Sequence, residues 1–478
     1  MLKRVDFLLW VLIAVVSARL LSMTIVPLTD TTEARYGEIA RIMAETGDFI
    51  TPWFDYGVPF WGKPPLSFWT EAIAFKLFGV TEFAARLPSW LATLTTTWLI
   101  YTTLQTFAQR HQAIMGAAIY STMILTYVMS GAVLTDPFLT LGTTLALVSF
   151  LLTLNSPLSN WRWYFFIGLA IGLLSKGPLA LVLTGTPIFI WLVWQRQWHQ
   201  LRHLPWFRGT LLTAILTLPW YIAAELKTPG FINYFIVGEH FLRFIDSGWQ
   251  GDLYGSAHKQ AHGVIWIHWL VATLPWGIIA LYYIIKHWFI KRSTGLGQLD
   301  NMQRLLLLAA LFPGMFFTLS GNILWTYQLP ALAPLALLMA LIIYKDEQSI
   351  SQSTVTTILA IPLIILIAGL YINAYPDKLK SEKSLVAYYN AHRADTISPL
   401  IYLDKTPFSA RYYSRGQAQH IALTDLLQTL RTTDAVYYCA VPNNAINATL
   451  STLSTPAELV FQNKRYGLLR VISTVNKQ

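Results

Sequence analysis

Three stretches of this 478-residue chain place charge where charge is costly. Thr32-Glu-Ala-Arg-Tyr-Gly-Glu-Ile-Ala-Arg follows the first apolar run and sets Glu33, Arg35, Glu38 and Arg41 at helical spacing. Leu134-Thr135-Asp136-Pro137 opens one apolar run, and Ser175-Lys176-Gly177-Pro178 divides two others. Ionisable groups near membrane depth are expensive and mark function by default. The chemistry such a set offers is a carboxylate that takes a proton and cations that hold an anion. It equally suits a transporter whose charged pathway runs through Lys63, Asp136 and Lys176.

Each residue also has a plainer role. Asp30 can cap a helix in which Glu33 is the third position, a pairing that explains both carboxylates without chemistry. Arg35 and Glu38 fit a solvated helix pair. The tract Trp53, Phe54, Tyr56, Phe60, Trp61 and Trp69 fits an interfacial aromatic belt as well as a sugar platform, and Lys63 fits a side chain reaching for head groups. Asp136 can be a helix cap. No HExxH or comparable spacing occurs, and His258 with His262 is a weak metal signal. Cys439 is the one cysteine, so neither an intramolecular disulfide nor a cysteine metal site exists.

The elements that must position these residues are membrane helices. The chain is 54% hydrophobic and only 12% charged, half the ordinary charged share. Apolar segments near the 20 residues that cross a bilayer recur at 7–28, 83–106, 112–130, 134–154, 163–175, 179–195, 209–225, 264–286, 303–320, 323–345 and 354–374, about eleven spans. The run from Phe7 to Met23 is long and lacks a small-residue cleavage site, which argues for a span over a signal peptide. Arg110, Arg162, Arg196, Arg202, Arg208, Lys286, Lys291, Arg292, Arg304 and Lys345, with Lys3 and Arg4, fall in loops on one side. The positive-inside rule puts that side and the N-terminus in the cytoplasm and the C-terminus outside. The net charge of +10 is then topology, and no nucleic-acid partner follows from it. Two long segments, 29–82 and 226–263, fall outside, where function tends to sit. The first holds two amphipathic stretches, 31–46 and 64–78, expected to lie along the membrane surface. Residues 1–374 form the membrane part. Residues 375–478 read as a small extracytoplasmic α/β domain, with strand-like runs at 400–403, 435–441 and 468–472 and a helical 424–430. No internal repeat is visible, which counts against a transporter.

Further motifs join these in a fixed order: Gly47-Asp48, Gly62-Lys63-Pro64-Pro65-Leu66, Phe78-Gly79-Val80-Thr81-Glu82-Phe83-Ala84-Ala85-Arg86-Leu87-Pro88, Glu239-His240-Phe241-Leu242-Arg243-Phe244 and Leu274-Pro275-Trp276. Together the set resembles the bacterial lipid A aminoarabinose transferase and protein O-mannosyltransferase superfamily over roughly residues 29–330. The resemblance implies a polytopic α-helical membrane enzyme of GT-C type in the bacterial inner membrane. Such an enzyme moves one sugar from a polyprenyl-phosphate donor, on the outer face, to lipid A, another glycolipid or a secreted protein. A ligase moving a whole oligosaccharide is the alternative within the same chemistry. By the resemblance, Lys63 contacts the donor phosphate, His258-Lys259 stands where relatives have His-Arg or His-Lys, and Tyr327 matches a cavity tyrosine. Thr32 and Gly62 replace carboxylates usual in the family. Glu33, Asp136 and Asp30 remain as candidate bases. Lys63, Lys259, His258 and Arg35 are expected to hold the phosphate, and Tyr36, Trp61, Tyr327 and Lys176 the sugar or acceptor. Single displacement implies inversion at the anomeric carbon. No cofactor follows, and a divalent metal has no ligand spacing to support it.

Overall fold

A computed structural model describes residues 4–256, 258–291, 299–345, 350–393, 398–403, 405–433, 435–453 and 455–473. Lys3 and Arg292, two cations of the topology reading, lie outside them. The apolar runs are helices, among them Arg4–Ser22, Glu82–Phe107, Asp136–Asn155, Trp161–Lys176, Leu179–Trp194, Trp206–Lys227, Asn301–Phe317, Leu329–Ile342 and Gln352–Ala374. Among the described residues five helices are long and apolar enough to cross a membrane, and a sixth if one bent pair counts as a span. Asp136–Asn155 and Leu329–Ile342 form the inside of the bundle, whereas Arg4–Ser22, Trp206–Lys227 and Gln352–Ala374 leave most of their apolar surface outward.

Two expected spans are interrupted. The 112–130 run divides at Met123 into Arg110–Thr122 and Ile124–Met129, and the Ile124 amide finds its acceptor outside the helix, at the Leu274 carbonyl 2.8 Å away. The 264–286 run bends by 105° between Val264–Ala272 and Trp276–Lys291. Pro275 lies in that break, where its missing N–H cannot continue a helix.

A seam of small residues fixes the register that matters most for the site. Asp136–Asn155 and Trp161–Lys176 form an antiparallel hairpin, so the start of one lies beside the end of the other. A Cβ on Gly142 would come within 2.6 Å of the Gly172 backbone, and one on Gly168 within 2.6 Å of Ala146. Small residues four apart on both helices let the backbones touch. That contact brings Asp136 and Lys176, from opposite ends of the sequence hairpin, within bonding distance.

Residues beyond the last long helix fold into a five-stranded mixed sheet in the spatial order Gln419–His420, Leu400–Tyr402, Val436–Pro442, Tyr466–Ile472, Ala457–Gln462. The first three strands run parallel, and the Tyr466–Ile472 strand is antiparallel to both its neighbours. Helices Lys383–His392, Phe408–Tyr413, Leu423–Thr432 and Ile446–Thr452 pack around it. The strand-like runs of the sequence coincide with three of these strands. Gln419–His420 is too short for alternation to reveal, and Ala457–Gln462 alternates weakly because it is an edge.

This sheet region sits against the first long loop. Lys383 and Tyr413 both bond Glu82, the Tyr412 hydroxyl donates to the Thr81 carbonyl at 3.1 Å, and Arg411 pairs with Asp55 at 2.6 Å. Gly37 permits the approach, since a Cβ there would meet the Tyr412 ring at 3.3 Å. The Thr32–Thr46 helix is consequently sandwiched between Leu66–Phe78 and Phe408–Tyr413, with nine of its residues buried. The expected helix lying open on a membrane surface is therefore a covered one.

Candidate functional site

The Lys176-Gly177-Pro178 turn is built for a tight reversal. Gly177 ends the Trp161–Lys176 helix at φ +66°, and Pro178 immediately starts the next helix. A Cβ on Gly177 would sit 2.7 Å from the Phe235 ring, so only glycine lets the helix Asn233–Leu242 lie over the turn. That helix has the wide i→i+5 winding often found at functional sites, and it continues into Arg243–Ile245. His240 ties the two together, with one ring nitrogen 2.8 Å from the Lys176 carbonyl and the other 2.8 Å from that of Phe235. Burial lowers the His240 pKa, so the neutral ring donates to one of these carbonyls at a time.

Above the turn lies a cleft of about 790 Å³ including its open mouth. Its polar lining is Lys63, Lys176, Glu239, His240, Arg243, Ser320, Asn322 and Tyr327; its remaining wall is Pro178, Leu179, Val182, Phe244, Phe316 and Phe317. Glu239 sits between the cations. Lys63 Nζ donates to one of its oxygens at 2.9 Å, and Arg243 Nη1 donates to both at 2.9 and 3.1 Å. Arg243 also reaches Asp252 at 3.4 Å, while its Nε is buried with no partner among the described residues. Burial alone would raise the Glu239 carboxyl, but the Lys63 and Arg243 charges and their hydrogen bonds hold it down to about 2. Asn322 fixes the end of this helix, donating from Nδ2 to the Arg243 carbonyl at 2.6 Å and accepting from the Gly248 amide at 2.9 Å. Lys176 Nζ donates to Asp136 at 2.7 Å, both side chains buried, and lies 5.1 Å from the Tyr327 ring centre.

Of the residues singled out from the sequence, Lys63, Lys176 and Tyr327 line the cleft. Asp136 stands one bond behind it, through Lys176. It opens its helix but makes no capping bond, so the capping expectation is corrected. Tyr36 is buried between Phe60 and Phe68, with ring centres 5.9 and 5.4 Å away. Burial raises its hydroxyl pKa, and the charges of Arg35, Lys176, Asp136 and Glu239 all act on it, which places it at the edge of the site. Arg35 donates to the Tyr254 carbonyl and covers the Tyr36 ring at 5.4 Å. Trp61 joins the two long loops: its indole N–H donates to Thr228 at 3.1 Å and its backbone N–H to the Tyr254 hydroxyl at 3.0 Å. His258 and Lys259 are exposed on a strip that pairs with residues 321–323, outside the cleft lining.

The two other expected carboxylates are committed elsewhere. Arg86 Nε and Nη2 donate to the two oxygens of Glu33 at 2.7 and 2.9 Å, and the same guanidinium bonds the Met23 carbonyl at 2.7 Å. Asp30 accepts from the Ser409 amide at 2.9 Å and pairs with Arg465. The helix cap is Thr31, so Asp30 is not the cap either. Glu38 pairs with buried Arg41 at 2.7 Å, which corrects the solvated Arg35–Glu38 pair. Sequence reasoning left Glu239, Arg243 and Asn322 out of the site. Glu239 and Arg243 were visible as a motif, but nothing local in the chain joins them to Lys63, 176 residues before Glu239.

Residues 10–235 match the family model described as dolichyl-phosphate-mannose-protein mannosyltransferase. That stretch is similar to the family and makes up just under half of the chain. The undecaprenyl phosphate-alpha-4-amino-4-deoxy-L-arabinose arabinosyl transferase of Shewanella sediminis is 31% identical over 315 residues, 64% of this chain and 54% of that protein. The enzyme of the same name from Aeromonas salmonicida is 33% identical over 321 residues, covering 66% of this chain and 56% of its own length. The chain thus spans about half the length of the curated relatives it matches. The crystal structure of ArnT from Cupriavidus metallidurans bound to undecaprenyl phosphate superposes with a TM-score of 0.81 at 16% identity, covering 100% of both chains. The chain therefore shares the fold of that ArnT structure.

Proposed function

We propose that the protein is a glycosyltransferase that moves a single sugar from an undecaprenyl-phosphate donor to lipid A, with another glycolipid or a secreted protein as the remaining acceptor classes. The observation that carries this reading is a cleft lined by both cations and a broad apolar surface. Lys63 and Arg243 converge on Glu239, and Arg243 Nε is a buried donor without an acceptor among the described residues. Leu179, Val182, Phe244, Phe316 and Phe317 line the same cleft, a surface suited to a polyprenyl tail. The relatives named above act on undecaprenyl-phosphate-linked aminoarabinose, which makes that sugar the first donor to test.

In this reading Lys63 and Arg243 grip the phosphodiester and stabilise the charge that grows on the departing phosphate. Lys176, held by Asp136, supplies a third cation beside Tyr327, and Tyr36 borders the sugar. The acceptor attacks in one displacement, so the anomeric carbon inverts. Arg35 and Trp61 position the loop that carries Lys63, and His258 and Lys259 flank the mouth. About eleven crossings with a cytoplasmic N-terminus place the cleft, both long loops and the 375–478 region on the outer face of the bacterial inner membrane. The sheet region's bonds to the first loop support that shared side.

The test is purified protein in detergent with undecaprenyl-phosphate-linked aminoarabinose and lipid A. Expected are release of undecaprenyl phosphate and a lipid A mass increased by one sugar. No release with lipid A, glycolipid or protein acceptors would end the proposal.

A further inference from the structure

The proposed reaction needs a group that takes the acceptor's proton, and the three carboxylates expected for it are engaged elsewhere. Glu33 is gripped by Arg86, Asp30 by Ser409 and Arg465, and Asp136 by Lys176. Among the residues lining the cleft, Glu239 is the one carboxylate. In the free protein it cannot act, because Lys63 and Arg243 occupy it at 2.9 Å. Yet these are the two cations that the donor's phosphate would claim.

We propose that Glu239 is the catalytic base and that the donor unmasks it, its phosphate drawing Lys63 and Arg243 off the carboxylate. The inference rests on the glycosyltransferase reading of the cleft. Glu239 is an internal stand-in for the phosphate: an anion of similar reach, bonded by both cations. Once the phosphodiester takes these donors, the carboxylate is left buried with only the weak 3.4 Å contact from the Tyr234 hydroxyl. Burial without a counter-charge favours the protonated form, so the same group that was held down to about 2 becomes a competent proton acceptor. The step then balances. The acceptor oxygen forms its bond to the anomeric carbon and its proton passes to a Glu239 oxygen. The bond from the anomeric carbon to the phosphate oxygen breaks with its electron pair, leaving undecaprenyl phosphate on Lys63 and Arg243. When that product departs, the cations return to Glu239 and expel the proton. The base is thus strong only while a donor is bound.

The experiment compares the full-length wild type, Glu239→Gln and Glu239→Asp in detergent, each checked for an unchanged elution profile. Two quantities are read: affinity for undecaprenyl phosphate alone, and single-turnover transfer to lipid A from the undecaprenyl-phosphate-linked sugar. Glu239→Gln removes the competing charge, so it is expected to bind undecaprenyl phosphate about tenfold tighter, the scale of one charge-assisted hydrogen bond exchanged. Its turnover is expected to fall about 10²- to 10⁴-fold, the usual share of a general base. Glu239→Asp keeps a carboxylate and should recover part of that turnover. Tighter binding joined to lost turnover is what a merely structural residue would not give. Glu239→Gln binding no tighter than wild type, or turning over within a few-fold of it, would overturn the inference while leaving the cleft's function standing. Wild type that binds no undecaprenyl phosphate would overturn both.

Discussion

Two helices outside the long apolar runs carry charge at helical spacing and use it in opposite ways. Thr32–Thr46 bears Glu33, Arg35, Glu38, Arg41 and Glu45; Asn233–Ile245 bears Glu239 and Arg243 four apart. In the first, the bonds run into protein. Arg86 takes Glu33 at 2.7 Å, Glu38 and Arg41 close on each other in the interior, and Arg35 spends one donor on a backbone carbonyl while its buried Nε, like that of Arg243, finds no acceptor among the described residues. In the second, Glu239 and Arg243 both line a cleft. The difference teaches that charge near a membrane marks function when it lines a cavity. A fully satisfied buried pair mainly fixes the fold.

The sharpest way to break the comparison is to remove one cation from each helix's network. Lys63→Ala or Arg243→Ala should lower sugar transfer at least about 10²-fold, as loss of an electrostatic donor at a reacting group does, with yield and elution unchanged. Arg86→Ala should do the reverse. It leaves Glu33 half-buried beside three backbone carbonyls that have lost their donor, at about 3 kcal/mol, and should show as lost yield or a lowered Tm. If Arg86→Ala folded normally and only transfer failed, Glu33 would return to the chemistry.

Acid should separate the two pairs as well. The Glu239 carboxyl is depressed in the folded protein, so its contribution is fully present above the unfolded carboxylate value of about 4.3 and is lost as pH falls toward about 2. Between those limits the wild-type Tm should drop more steeply than that of Glu239→Gln, whose amide does not titrate. Parallel Tm curves would show that the cleft pair contributes nothing to folding.

Much of this was legible in the chain because hydropathy is local. The apolar runs and the strand patterns at 400–403, 435–441 and 468–472 each follow from a few adjacent residues. The hairpin that joins Asp136 to Lys176 was not legible as a contact, since it depends on Gly142, Gly168 and Gly172 letting two helices touch. Glu33 misled for a related reason. Its partner lies 53 residues away inside an apolar helix, where Arg86 read only as part of a motif. Asp30 is the extreme case, its partners Ser409 and Arg465 lying 379 and 435 residues further on. The interrupted 264–286 run had a visible signal in Pro275, yet a proline inside a long apolar run bends some helices and merely kinks others.

Asp30 supplies the next test. Without its carboxylate Arg465 still holds Glu382 at 2.7 Å, so Asp30→Ala should cost only about 1–3 kcal/mol. The expected result is faster proteolytic cleavage near residues 374–383, where the sheet region joins the last long helix, and transfer within a few-fold of wild type. Transfer lost at full resistance to protease would put Asp30 among the reacting groups.

The smallest effect tests whether Trp61 is a joint or a sugar platform. Its N–H is already spent on Thr228, and Gly230 lies 3.5 Å from its ring by the position of an added Cβ, so the ring is packed between the two long loops. Trp61→Phe keeps an aromatic face and deletes that one bond. If Trp61 is a joint, the change costs about 1 kcal/mol of stability, and the KM for donor and acceptor stays put. If the ring stacks on the sugar, the stability cost is the same but the KM for the donor rises several-fold, because the smaller ring covers less of the sugar face. Trp61 shares its loop with Lys63 at a distance of two residues. A KM effect confined to the donor would therefore extend the cleft by one wall, and its absence would leave the second long loop, through Glu239 and Arg243, as the element that meets the substrate.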